Sequence, residues 1–149
     1  MSVSTGMNFR RLCDDILSLE GDLRFVCICS MQGRIVAIQY REDAIPLLVG
    51  ERTQLWIMQA LIRMSSRKTM EDSLGSPLFS LTEYEKVVKA TILVRDAANK
   101  FGLGDEFVIV LSIRPQAQNP SAMLKETVIP YIKKLLNATQ RPSCSIEGC

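Results

Sequence analysis

Very few side chains in this sequence combine a reactive type with a spacing that chemistry can use. Glu83 and Glu85 come nearest to a carboxylate pair: on a strand they share one face, with Cα atoms roughly 7 Å apart. Paired carboxylates at such a separation can do acid–base work. These two flank Tyr84 beside Lys86 in an alternating, weakly apolar segment, which describes a solvated strand face. Arg63, Arg67 and Lys68 form a small basic cluster suited to a phosphate or an acidic partner, yet cations also suit the C-terminal half of any helix. No aromatic interleaving or glycine-rich loop accompanies them, so nucleic acid is not expected as a partner. Gly102-Leu103-Gly104 is too short for a phosphate-binding fingerprint and reads as a turn.

The five cysteines are Cys13, Cys27, Cys29, Cys144 and Cys149. Their odd number and spacing make a poor disulfide framework, and no CxxC motif occurs. Cys27 and Cys29 alternate along an apolar run and read as buried thiols on one strand face. Cys144 and Cys149 stand in a polar tail, where two thiolates without histidine make an incomplete zinc set. Histidine is absent from all 149 residues, which excludes Ser-His-Asp and Cys-His catalysis and an imidazole pH switch. The expectation is no catalytic residue, no metal and no cofactor, in a reducing cytoplasm.

Apolar residues make up 47% of the chain and aromatics 6%, with 18 basic side chains against 16 acidic. That is too apolar for disorder and too balanced to mark a nucleic-acid binder. The length suits one domain, placed at residues 7–138, with 139–149 as a flexible C-terminal tail. The opening residues are not expected to act as a secretory signal, nor Cys149 as a lipidation site. The longest apolar stretch, Leu55 to Met64, falls far short of the roughly 20 residues that span a bilayer, so no membrane is expected.

The elements that must position these residues follow from periodicity. Leu12, Ile16 and Leu19 have helical spacing opposite Arg10, Arg11, Asp14 and Asp15, which predicts a helix over Met7 to Leu19, closed by Gly21. Leu23, Phe25, Cys27 and Cys29 then alternate, predicting a strand with those four on one face. Met31-Gln32-Gly33 supplies a turn into a second strand, Arg34 to Tyr40, with Ile35 and Ala37 on one side and Val36, Ile38 and Tyr40 on the other. Both strands are apolar on both faces, which suits a sheet covered on each side. A loop with Pro46 leads to a second helix from Glu51 to Leu74, stopped by Gly75 and Pro77. Strands are expected at Phe79 to Lys86 (an edge), Val87 to Val94 and Glu106 to Ile113, with Asp96, Asn99, Gly102 and Gly104 in the turn between the last two. A final helix, Pro120 to Asn137, carries a stripe of Leu124, Val128, Ile132 and Leu135 and should be kinked or split by Pro130. The fold class is an α/β sandwich (α+β) of order α-β-β-α-β-β-β-α around a five-stranded, mainly antiparallel sheet.

The second helix departs from an ordinary surface helix. Eight of the ten residues from Leu55 to Met64 are apolar, so the apolar arc exceeds one face. It is either buried within the monomer or packs one side on the sheet and turns the other, with Trp56, Gln59 and Arg63, to a partner. The candidate partner-binding residues are Leu55, Trp56, Gln59, Arg63 and Arg67.

With this element order, the sequence resembles the roadblock/longin-type, profilin-like module. The stretch LRFVCICSMQGRIVA resembles that family's first hairpin. Asp22 to Val26, Gly33 to Val36, Tyr40-Arg41-Glu42, Leu81 to Val87 and Lys89 to Ile92 resemble blocks in a group of small archaeal proteins of the same layout, and spread the likeness over about residues 9 to 114. The resemblance implies a non-enzymatic homodimer or heterodimer in which second helices pack together and sheet edges can join. Such dimers serve as platforms for small GTPases, motors or signalling complexes. The leading expectation is thus a dimeric scaffold or regulator, with a small GTPase as one partner class. The rival from another class is a small-ligand sensor whose apolar pocket is lined by Cys27, Cys29 and the second helix. An enzyme would have to rely on Glu83, Glu85, Tyr84 or a cysteine.

Overall fold

In the computed structural model, which describes residues 7–138, the first amphipathic stretch forms α1 (Phe9–Leu17), capped where the Asn8 side chain accepts the Arg11 N–H at 3.0 Å. The hairpin follows as β1 (Leu23–Ser30) and β2 (Ile35–Tyr40), turned by Gly33 at φ 95°. Next come α2 (Glu51–Lys68), the short α3 (Glu71–Leu74), β3 (Phe79–Glu83), β4 (Val88–Arg95) and β5 (Glu106–Ile113). The C-terminal helical segment comprises α4 (Pro120–Met123), a π-helical turn (Leu124–Val128) and α5 (Ile129–Ala138). The strands form one sheet in the order β2-β1-β5-β4-β3, every neighbouring pair antiparallel, with β3 at an edge as its composition implied.

Two apolar clusters lie on opposite faces of this sheet. On one face α1 and the C-terminal segment pack through Leu12, Ile16, Leu124, Val128 and Ile132 onto Val26, Ile28, Ile109 and Leu111. On the other, α2 packs alone through Trp56, Ile57, Leu61 and Met64 onto Phe25, Cys27, Cys29, Val108 and Val110. The layers are helix, sheet, helix.

Two bulges correct the expected alternation. The β1–β5 register shifts between Leu23 and Phe25, which moves Leu23 to the α1 face, away from Phe25, Cys27 and Cys29. The β1–β2 register shifts opposite Ile28 and Cys29, leaving Val36 as the extra residue. Ile35 therefore joins Ile38 and Tyr40 towards α2, while Val36 and Ala37 face the α1 layer.

Helix lengths also differ from the periodic pattern. The second helix stops at Lys68 instead of Leu74, because the Thr69 hydroxyl donates to the Ser66 carbonyl at 2.7 Å and competes with the continuing backbone ladder. Pro130 has no N–H to offer the carbonyl one turn back, and the π-helical turn lies directly before it, so the expected split is a widened turn. Arg41 closes the end of α1, donating through Nη2 to Leu17 O at 2.5 Å and Glu20 O at 2.8 Å, and through Nε to Leu23 O at 2.7 Å at the start of β1. The expected tail, 139–149 with Cys144 and Cys149, lies outside the described residues.

Candidate interaction surface

One helix does not cover a five-stranded sheet. The outer strands are about 19 Å apart, whereas a helix with its side chains is about 10–12 Å across. The face under α2 is thus bordered by open flanks, closed only in part by the loop 41–50. Gly50, at φ 57°, turns that loop into the helix.

Along α2, Thr53, Trp56, Ile57, Ala60, Leu61 and Met64 point to the sheet. Leu55, Met58 and Ile62 point away and are 55%, 45% and 62% exposed. Spacings of three and four residues put these three on one stripe along the outer face. Gln59, Arg63 and Arg67 are exposed beside it. Four of the five expected partner-binding residues therefore reach solvent. Trp56 does not: it is 7% exposed, about 100° round the axis from Leu55, and packs against the sheet. An outward-facing indole is corrected to a core one. Met58 and Ile62 were missed, although their 3–4 spacing from Leu55 is visible in the sequence.

The remaining candidates separate. Lys68 leaves the basic cluster to pair with Glu106, which also takes Arg95 Nε at 3.0 Å, and Arg95 reaches Glu71 at 3.3 Å. This network holds the end of α2 to the sheet. Glu83 ends β3, while Tyr84 and Glu85 lie in the turn to β4, where Tyr84 N–H donates to Val87 O at 2.8 Å. Glu83 and Glu85 consequently share no strand face, because the strand stops between them. Cys27 and Cys29 are fully buried against α2. Burial pushes the Cys29 thiol up to about 11, and burial with the nearby Asp14 pushes Cys13 up to about 12. Neither Cys27 nor Cys29 borders the cavities beside α2, which corrects the ligand-sensor reading in the form that used them.

The sequence matches no family model and no curated protein. Among solved structures it is similar to a roadblock/LC7 domain from Streptomyces avermitilis, with 11% identity, TM-score 0.58 and coverage of 93% of this chain and 99% of that one. It is also similar to the gliding protein MglB from Thermus thermophilus, with 12% identity, TM-score 0.57 and 76% of each chain covered. A structure of MglB in a tetrameric arrangement gives 12% identity and TM-score 0.61 over 88% of this chain and 84% of that one. The likeness is one of fold: the chain has a roadblock/longin-like α/β architecture. No helix among the described residues is long and apolar enough to cross a membrane.

Proposed function

We propose that residues 7–138 act as a non-catalytic interaction module that pairs through the outer face of α2. The observation that carries this reading is the exposed stripe of Leu55, Met58 and Ile62 on a helix already anchored to its own sheet. An apolar seam with polar Gln59, Arg63 and Arg67 beside it has the anatomy of an interface core and rim. A second α2 presents the matching seam, so a two-fold pair is self-complementary. The resemblance to roadblock-type modules, and the tetrameric arrangement of one structural neighbour, favour pairing with a like chain. The pair would serve as scaffold or regulator for a small GTPase or a signalling complex, the partner classes that the resemblance implies. The reducing cytoplasm suits its free, buried thiols.

Sedimentation of wild type against Ile62→Glu and Leu55→Glu tests the pairing. The wild type should run as a dimer and both variants as folded monomers. A wild type that stays monomeric at every concentration removes the homodimer, and unchanged association in the variants removes this face. Trp56→Asp is unsuitable here, because it places a carboxylate in the core and unfolds the chain.

A further inference from the structure

Beside α2, the loop 41–50 and the sheet enclose a cavity of about 190 Å³. Phe25, Ile45 and Leu48 supply apolar wall. Its charged side chains are all cations, Arg24, Lys86, Lys89 and Arg114, and no carboxylate lines it. Its hydroxyls are those of Tyr40, Thr53 and Ser112.

Lys89 is the cation held inside. Its Nζ stands 4.2 Å from the centre of the Trp56 ring and 5.3 Å from that of Phe25, and donates to Ser112 Oγ at 2.6 Å. Arg24 and Arg114 have Asp43 and Asp22 at 3.5 and 3.7 Å, whereas Lys89 has no ion pair among those of the described residues. Thr53, 8% exposed, lines the same cavity, and its Oγ1 has no hydrogen-bond partner. A half-buried ammonium without a counter-charge and a buried hydroxyl without a partner are both unfavourable alone. One ligand group answers both: a compact anion accepts from the ammonium and from the hydroxyl.

We propose that this cavity is a binding site for a small monocarboxylate with a short apolar chain. Lys89 and Thr53 take the carboxylate, and Phe25, Ile45 and Leu48 take the chain. A single negative charge fits the one enclosed cation, and a doubly charged, strongly hydrated phosphate would lose its water against apolar wall. The volume is below the roughly 300–1,000 Å³ of drug-sized pockets, which limits the ligand to fragment size. Ile45 and Leu47 at the cavity are exposed and would be partly covered by the ligand chain. The site lies within one chain and stands apart from α2 pairing.

Octanoate is the probe, titrated by calorimetry and by the fluorescence of Trp56, the only tryptophan of the chain. Octanol, octylamine and inorganic phosphate serve as comparisons. Saturable octanoate binding is expected, at least tenfold tighter than octanol or octylamine, with no response to phosphate. Lys89→Met should weaken octanoate at least tenfold, to the level of octanol. Thr53→Val should weaken it severalfold at a melting temperature no lower than that of wild type, which shows an intact fold. Ile62→Glu should bind as wild type does, so that this site and the pairing face fail separately. The proposal is overturned by an absence of saturable octanoate binding, by octanol or octylamine binding equally well, or by a Lys89→Met that retains wild-type affinity.

Discussion

Lys89 shows how far a single residue can depart from what its neighbours would favour. Burial lowers its ammonium from 10.5 to about 8, with the Trp56 and Phe25 rings and Ser112 compensating in part. Between those two values the unfolded chain holds the proton more tightly, so stability should rise with pH through that window. The penalty is complete below about 8 and gone above 10.5. Lys89→Met keeps the stem and removes the charge, and should stabilise the fold by about 1–3 kcal/mol at neutral pH. Denaturant unfolding at several pH values checks this, since the advantage should shrink as pH climbs towards 10.5. The thiols make a second residue-scale prediction. Cys13, Cys27 and Cys29 are buried with their pKa values raised, so an alkylating reagent at mildly alkaline pH should leave all three unmodified in the native protein and label them in denaturant. Peptide mass spectrometry reads the difference.

At the scale of elements, the hairpin and α2 constrain one another. Gly33 sits in the β1–β2 turn at φ 95°, and a Cβ built there would come within 3.2 Å of Met58 Cε. Gly33→Ala therefore meets both left-handed strain and a close neighbour, and should cost about 1–2 kcal/mol by chemical denaturation. Met58 belongs to the exposed stripe, so the turn also props one side chain of the proposed pairing face. The end of α2 is held by Lys68, Glu106, Arg95 and Glu71, residues from four elements or their junctions. Nothing local announces that network: Lys68 and Glu106 are 38 positions apart.

For the whole molecule, the layer arrangement decides where apolar surface is left over. The face under α1 receives a second helical segment, and the face under α2 does not. The excess emerges at the Leu55, Met58 and Ile62 stripe and around the loop 41–50. If the stripe joins two copies, folding and association are linked, and the melting temperature of wild type should rise with protein concentration. Ile62→Glu should melt at one temperature regardless of concentration. A concentration-independent melt in wild type would count against the pairing.

Much of the architecture is local and was therefore legible in the residues. Alternation marked β1, β-branched residues marked β4 and β5, Gly33 marked the turn from β1 to β2, Pro130 marked a defect in the last helix, and the apolar excess of α2 marked a helix apolar beyond its sheet-facing side. These follow from steric and solvation preferences within a few residues. Which way Leu23 and Ile35 point, and that β1 lies beside β5, depended on pairing between distant strands and on bulges that shift side chains by one position. A helix apolar nearly all round has no single face to read, so only its packing on the sheet could turn Trp56 inward and Ile62 outward. The same packing brought Lys89, Thr53 and the loop 41–50 around one cavity, because residues far apart in sequence become a site only when strand order and helix register place them together.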